Sequence, residues 1–205
     1  LQYNFLPSTF FSLQKNRPLK NLLKTAREIV DESLPIRCLE AVFLGVYLTQ
    51  KVENVERFPL SFKSTCNGRS YRHIVLVLRY QSSFGAIGLS RKDSLMDKTL
   101  TFSSLLELID CYAVSFQGAG HPLVSIKVGL YFSKDSASNL VPYWRFLSLP
   151  LPNAKAKAGG KQRQGSAGHR RGSNHRKRSI DTNHHVIDFE TEDAVLKTSS
   201  NNSGG

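Results

Sequence analysis

The fold is decided by two stretches, PIRCLEAVFLGVYLTQ at residues 35–50 and YRHIVLVLRY at residues 71–80. The first is apolar nearly all round, which predicts a buried central helix with Cys38 in its first turn. The second is rich in β-branched and apolar residues, which predicts a strand with His73 near its start. Together they predict a helix packed on a sheet, with one cysteine and one histidine available for chemistry.

The flanking segments predict an α+β fold. Apolar residues recur at helical spacing from Pro18 to Glu32, and Ser33 and Pro35 favour the start of the next helix. A further helix, capped by Thr101, is expected at about 101–116. The expected strands are 58–64, 71–80, 84–89, 122–132 and 142–149, with a turn at Asn67-Gly68. One buried helix followed by an antiparallel meander is typical of the α+β class.

Charge divides the chain into two parts. The 205 residues carry a net charge of +12, which favours acidic partners such as nucleic acid, an anionic membrane or an acidic protein tail. Residues 1–150 have the composition of a folded domain. Residues 151–180 hold nine Lys and Arg and no Asp or Glu, and the whole of 151–205 is poor in aromatic residues. We therefore predict a folded domain at 1–150 and a disordered basic tail at 151–205.

Several classes of protein are disfavoured by the same sequence. No apolar run approaches the roughly 20 residues that span a bilayer, and polar residues interrupt the N-terminus where a signal peptide needs an apolar core. Three sparse cysteines indicate neither a disulfide framework nor a zinc site. We therefore expect a cytoplasmic protein without a metal or another cofactor, with secretion as the alternative if a leader has been lost. The tail histidines lack fixed geometry for a metal: His169, His175, His184 and His185.

Cys38 and His73 are the candidates for nucleophilic chemistry. A cysteine in the first turn of a helix lies at the positive end of the helix dipole, where unpaired N–H groups favour a thiolate. Arg37 adds a positive charge beside it, and a histidine on a rigid strand can serve as base and then as proton donor. The structural alternatives are that Cys38 is a small buried hydrophobic residue and that His73 is an ordinary strand histidine. Cys66 and Cys111 have no paired base and are interpreted as structural.

A catalytic base needs a partner that fixes its tautomer. Ser90, in GLSRKDSLMDK at residues 88–98, ends the expected strand beside that of His73. Either its side chain or its backbone carbonyl can orient the ring in this interpretation. The alternative is a serine that caps a turn.

Four segments of this sequence resemble the vasohibins. They are RPLKNLLKTAREIVDESLPIRCLEAVFLGVYLTQ at 17–50, ERFPLSFKS at 56–64, YRHIVLVL at 71–78 and FGAIGLSRKDSLMDK at 84–98. The resemblance covers about residues 1–110 and continues more weakly through HPLVSIKVG to Trp144. It implies a transglutaminase-like cysteine peptidase core that removes the C-terminal tyrosine from the acidic tail of α-tubulin. α-Tubulin and microtubules are then the expected partners, and the cytoskeleton is the expected location.

The resemblance also implies roles for particular residues. Cys38 matches the nucleophile, His73 the base and Ser90 the orienting residue. Tyr3 matches a tyrosine that binds the substrate carbonyl. We assign the basic residues from the chemistry of the substrate, because arginine and lysine bind carboxylates well. The terminal carboxylate is assigned to Arg37 and Arg91, and the acidic residues upstream of it to Lys15 and Arg17.

The sequence departs from the family pattern at its N-terminal end. Family members have a helical region before the point that matches Leu1. Its absence here argues against docking of the small vasohibin-binding protein, which binds largely to those helices. Two other functions stay open. One is an inactive core that binds microtubules or nucleic acid through the basic run KQRQGSAGHRRGSNHRKR at 161–178, although that run lacks interleaved aromatic residues. The other is a transglutaminase-like enzyme that acts on glutamine side chains.

Overall fold

A computed structural model describes residues 1–14, 17–135, 139, 141, 146–149 and 151. The chain divides into two units, Leu1–Gly160 and Lys161–Gly205, and all described residues belong to the first. Lys15 and the predicted tail beyond residue 151 lie outside the described residues.

The described residues form three α-helices, one short 3-10 turn and six strands. The helices are α1 (Leu19–Glu32), α2 (Cys38–Thr49) and α3 (Leu105–Gly118), and the 3-10 turn is Asp93–Leu95. The strands are β1 (Val55–Cys66), β2 (Arg69–Tyr80), β3 (Ser83–Ile87), β4 (Lys98–Phe102), β5 (Leu123–Gly129) and β6 (Phe146–Leu149).

The six strands make one antiparallel sheet in the order β4-β3-β2-β1-β5-β6. Its centre is the long hairpin of β1 and β2, whose register runs from Val55 opposite Tyr80 to Cys66 opposite Arg69. The predicted turn Asn67-Gly68 joins them, and both residues have positive φ, 51° and 74°. Only glycine and asparagine adopt such angles readily, which explains why this pair occupies the turn. The prediction of an antiparallel sheet combined with helices is confirmed.

Alternate residues of the central strands face two different helical layers. On one face, Phe62, Val75 and Val77 pack with Tyr112 and other α3 residues. On the other face, Ile74 and Leu76 join a core cluster formed largely by α1 and α2. Because neighbouring side chains of a strand point to opposite faces, the parity of each position decides which layer it meets.

Two predicted helix starts are wrong. Ser33 does not cap α2; it ends α1 in the left-handed conformation, with φ 55°. The second helix begins at Cys38 rather than at Pro35, because Ile36 pairs as a short bridge with Tyr3. Thr101 belongs to β4, and Ser104 caps α3 by accepting a 3.1 Å hydrogen bond from the Glu107 N–H.

Candidate active site

Cys38 is the first residue of α2, and the chain before it is held by the N-terminal segment. The N–H of Ile36 donates to the Gln2 carbonyl at 3.0 Å, and the N–H of Asn4 donates to the Ile36 carbonyl at 2.8 Å. This pairing places Tyr3 beside Ile36, two residues before the cysteine. The entry into α2 is therefore fixed by backbone contacts far apart in sequence.

Glu40 completes the first turn of α2. Its Oε2 accepts a 2.6 Å hydrogen bond from the Arg37 N–H, which satisfies one of the donors that a helix start leaves unpaired. The side chain is fully buried, and within the described part of the chain Oε1 has no hydrogen-bond partner. Burial raises the pKa of Glu40, whereas the N–H and the charge of Arg37 lower it. Glu40 was missed by the sequence analysis, although Glu at the third helical position is a recognisable capping signal.

The Cys38 thiol lies against the backbone of β2. The N–H groups of Ile74 and Leu39 interact with the sulfur and favour its ionised form. The edge of β2 is open at this point, because its pairing with β3 covers only Leu76 to Tyr80. Ile74 directly follows His73, so the open edge brings the two predicted catalytic residues to one corner of the sheet.

Burial has the largest effect on the ionisation of the thiol. It raises the pKa of Cys38 above the usual value of 9.0, and the nearby Glu40 carboxylate raises it further. These effects outweigh the backbone N–H groups of the helix start. The pKa of Cys38 is therefore raised in the free protein, in the direction opposite to the thiolate that the helix start was expected to favour.

The His73 imidazole is buried with one nitrogen already bonded. Its Nε2 lies 2.8 Å from the carbonyl oxygen of Leu95, and the ring packs between Phe62 and Phe116, at centroid distances of 6.3 Å and 6.2 Å. A carbonyl can only accept, so Nε2 carries the proton and Nδ1 is the basic nitrogen. Burial lowers the pKa of His73 to about 4, against the opposing effect of the Leu95 carbonyl.

The loop predicted to orient His73 does so through Leu95. The Ser90 hydroxyl accepts a 3.2 Å hydrogen bond from the Lys92 N–H, as in the turn-capping alternative. Leu95, five residues further along, closes the 3-10 turn and presents its carbonyl to the ring. A backbone acceptor has no side-chain signature, which is why the sequence analysis missed it. A direct role for Ser90 stays a prediction.

Tyr3 and Arg91 meet beside this corner. The Arg91 Nε donates to the Tyr3 hydroxyl at 3.4 Å, and its guanidinium lies 5.6 Å from the centre of the Tyr3 ring. Arg37 donates to the Leu6 carbonyl, which belongs to the same N-terminal segment. Three predicted substrate-binding residues are thus brought together around the N-terminus of α2.

Arg17 makes its hydrogen bonds in a different part of the fold from Tyr3, Arg37 and Arg91. Its guanidinium donates to the carbonyls of Ser12 and Gln14, both at 2.9 Å, and to the Thr25 hydroxyl at 3.1 Å. These bonds tie the preceding loop to α1. Its predicted role in binding acidic residues is not tested, and neither is that of Lys15.

Comparison with known proteins identifies the family of this chain. The model of the family described as Vasohibin matches residues 1–166. The chain belongs to the vasohibin family. It is also 44% identical, over 151 residues, to mouse tubulinyl-Tyr carboxypeptidase 1. That match covers 74% of this chain and 40% of the mouse protein. The resemblance inferred from the sequence is confirmed.

In this vasohibin-family chain, burial acts on both titratable groups of the candidate site: it raises the pKa of the Cys38 thiol and lowers the pKa of the His73 imidazole. No group of three or more His, Cys, Asp or Glu suited to a metal occurs among the residues placed by the structure. In that same part of the chain, no helix is long and apolar enough to cross a membrane.

Proposed function

We propose that this chain is a cysteine-type carboxypeptidase, with a transglutaminase-like core, that removes the C-terminal tyrosine from the acidic tail of α-tubulin. The observation that carries the proposal is the placement of Cys38 against the backbone beside His73, whose Nε2 is held by the Leu95 carbonyl. The similarity to a mouse enzyme named as a tubulinyl-Tyr carboxypeptidase supports the choice of substrate. Tubulin as substrate places the activity in the cytoplasm, on the cytoskeleton.

In the first half of the reaction, His73 Nδ1 takes the proton of the Cys38 thiol as Sγ attacks the carbonyl before the terminal tyrosine. The imidazolium that forms is stabilised by the Leu95 carbonyl, which keeps Nε2–H oriented. The imidazolium then protonates the amine of the departing tyrosine, and the C–N bond breaks. A thioester between the shortened tail and Cys38 remains.

In the second half, His73 activates a water that attacks the thioester. The C–S bond breaks and the thiol regains its proton. The products are free tyrosine and a tail that ends in a new carboxylate. One group therefore acts as base and as acid in turn, which a neutral imidazole allows.

Donors for the oxyanion are available from two elements. The backbone N–H groups at the start of α2 face the position of the attacked carbonyl, as helix N-termini do. Tyr3 adds its hydroxyl, which already accepts a hydrogen bond from Arg91 and is thereby polarised as a donor. The terminal carboxylate of the substrate is assigned to Arg37 and Arg91, with Ser90 next to Arg91 at the same corner.

The test is mass spectrometry of a peptide that ends in Glu-Glu-Tyr after incubation with the full chain. The incubation is repeated with the small vasohibin-binding protein. Loss of tyrosine from the peptide, abolished in Cys38→Ala and retained in Cys66→Ala, is the expected result. Intact peptide with a chain shown to be folded by circular dichroism, under both conditions, would favour an inactive binding protein instead.

A further inference from the structure

Asn4 is a buried polar residue in an otherwise exposed segment. It is 2% exposed, whereas Phe5 and Leu6, which follow it, are 75% and 53% exposed. Folded chains ordinarily bury the apolar side chains and leave an amide in water, because a buried amide must recover the hydrogen bonds that it made to water. The reversed order indicates that this stretch is shaped by the hydrogen bonds of the Asn4 amide and not by burial of its apolar neighbours.

The Asn4 side chain folds the residues after it into a tight turn. Its Oδ1 accepts a hydrogen bond from the Leu6 N–H at 2.9 Å, and its Nδ2 donates to the Ser8 carbonyl at 2.9 Å. The backbone N–H of Asn4 donates to the Ile36 carbonyl at 2.8 Å, just before α2. We call residues 4–8 the Asn4 turn. One residue thus shapes this turn and attaches it to the segment that leads into α2.

The Asn4 turn presents a carbonyl to Arg37. The Arg37 guanidinium donates a hydrogen bond to the Leu6 carbonyl. The direction of that carbonyl is restricted on both sides, because the Leu6 N–H is held by the Asn4 Oδ1 and the next residue, Pro7, has a φ that its ring restricts. The guanidinium proposed to bind the terminal carboxylate is therefore oriented by a turn whose shape depends on Asn4.

Tyr3 depends on the same turn for a different reason. Its hydroxyl lies 3.4 Å from the Arg91 Nε, which is long for a hydrogen bond, and its ring meets the Phe5 ring edge-on at a centroid distance of 5.1 Å. Both partners are exposed, so they restrain the Tyr3 side chain weakly. The position of the hydroxyl then follows from the backbone, which is held by the bridge between Tyr3 and Ile36 and by the Asn4 N–H.

We propose that Asn4 is a positioning residue for the cleavage reaction: through the Asn4 turn, it places the Tyr3 hydroxyl and the Arg37 guanidinium beside Cys38. This inference rests on the proposed function and deepens it, because it names the group that aligns the oxyanion donor with the carboxylate-binding arginine. Asn4 is buried and acts only through the two residues that meet the substrate. Loosening the turn should therefore affect the chemical step through Tyr3 and substrate binding through Arg37.

Steady-state kinetics of the full chain, on a peptide that ends in Glu-Glu-Tyr, separate these two effects. Asn4→Ala removes both side-chain hydrogen bonds of the turn. We expect kcat to fall about a hundredfold, the usual cost of a displacement of about 1 Å, and KM to rise. Asn4→Ser keeps a hydroxyl that can accept from the Leu6 N–H in a similar but weaker turn, so it should recover part of kcat.

Combination with Tyr3→Phe tests the route of the effect. Tyr3→Phe lacks the hydroxyl that Asn4 is proposed to place. In that background Asn4→Ala should raise KM, through Arg37, without lowering kcat much further. Independent effects on kcat would instead multiply.

Leu108→Ala is the control for a general loss of stability. Leu108 is fully buried in the core between α3 and the sheet, on the opposite face from α2, and its truncation leaves a cavity there. It should lower the midpoint of thermal unfolding and leave kcat near that of the parent, when kcat is measured well below that midpoint. Circular dichroism at the assay temperature confirms that each protein is folded, and Asn4→Ser replaces Asn4→Ala in every comparison if the alanine variant does not fold.

A binding measurement tests Asn4 independently of turnover. Fluorescence anisotropy with Cys38→Ala gives the Kd for the peptide with a free C-terminal carboxylate and for the same peptide with a C-terminal amide. The parent should prefer the carboxylate, and Asn4→Ala should lose most of that preference because Arg37 is no longer oriented.

The inference is overturned if Asn4→Ala keeps the kcat of the parent, or if its loss of kcat is undiminished in the Tyr3→Phe background. It is also overturned if the parent shows no preference for the carboxylate, or if Asn4→Ala retains that preference. Absence of tyrosine release from the folded wild-type chain, together with a carboxylate preference that depends on Asn4, refutes only the proposed reaction.

Discussion

The Nε2 atom of His73 lies 2.8 Å from the carbonyl oxygen of Leu95. That contact assigns the tautomer of the imidazole without any charged partner. A carboxylate in the same place would favour the imidazolium, whereas a neutral carbonyl in a buried site leaves the ring neutral. The consequence is an imidazole that is neutral at pH 7 before any substrate arrives.

The protonation of His73 should make stability depend on pH in a defined window. Burial lowers the pKa of His73 from 6.5 to about 4, so the unfolded chain binds the proton first as the pH falls. This contribution to stability is fully present above about pH 6.5 and is lost as the pH approaches 4. The slope in the free energy of unfolding should reach about 1.4 kcal/mol per pH unit.

Urea unfolding between pH 4 and pH 7 measures that slope directly. His73→Phe keeps an aromatic ring in the pocket between Phe62 and Phe116 and should flatten the profile in this window. An equal slope in both proteins would assign the pH dependence to other groups.

Glu40 should control the reactivity of the thiol. Its carboxylate raises the pKa of Cys38, so Glu40→Gln removes a charge while the amide oxygen still accepts from the Arg37 N–H. The pH midpoint of Cys38 alkylation by iodoacetamide, followed by peptide mass spectrometry, should move to lower pH. Glu107 occupies the same position in α3, and Glu107→Gln should leave that midpoint in place. An unchanged midpoint in Glu40→Gln, with the fold intact, would contradict the proposed electrostatic coupling.

The Tyr3 hydroxyl should act in the chemical step. Tyr3→Phe keeps the ring that Arg91 packs against and deletes only the hydroxyl, the proposed oxyanion donor. We expect kcat to fall about 10²-fold to 10³-fold with little change in KM, the usual cost of one such donor. Tyr80→Phe, at the far end of β2, serves as the comparison. A rise in KM alone would show that Tyr3 only binds the substrate.

Gly45 should be required for the close packing of α2 on the sheet. A methyl group at this position would lie 2.9 Å from Leu76 Cδ2 and 3.3 Å from Ile87 Cγ2, and Leu76 is fully buried. Gly45→Ala should therefore destabilise the protein by about 1–3 kcal/mol. It should also lower kcat, because α2 carries Cys38, the proposed nucleophile, and a displacement of about 1 Å can cost about a hundredfold.

Gly118→Ala is the control for this substitution. Gly118 is the last residue of α3, and an added Cβ meets nothing within 4 Å. That change should leave kcat unaltered and make unfolding no easier. Equal effects of the two substitutions in thermal unfolding and kinetics would contradict the packing argument.

Patterns that lie within one segment could be predicted from the sequence. The apolar run of α2 and the β-branched and apolar residues of β2 placed Cys38 and His73 on the correct elements, and Asn67-Gly68 marked the hairpin turn. Features that depend on pairing between distant segments could not be predicted. The contact of the Leu95 carbonyl with His73 has no signal in the sequence, because it is made by the backbone. The bridge between Tyr3 and Ile36 is the reason that α2 begins later than predicted.

The same limit applies to the basic residues Lys63, Arg72 and Lys127. They come from three strands, and only the register of β1 with both neighbours makes them a cluster. The prediction that Thr101 caps α3 was wrong for a local reason. Its β-branched side chain fits a strand, and Ser104, three residues later, caps the helix instead.

The open edge of β2 leaves a strand amide whose partner is sulfur rather than a neighbouring carbonyl. The strength of the hydrogen bond from the Ile74 N–H therefore depends on the form of the sulfur, because a thiol, a thiolate and a thioester accept a hydrogen bond with different strength. The nuclear magnetic resonance frequency of this amide proton should shift at each stage of turnover, with no probe attached. The strand that holds the proposed base thus supplies a spectroscopic reporter for the proposed nucleophile.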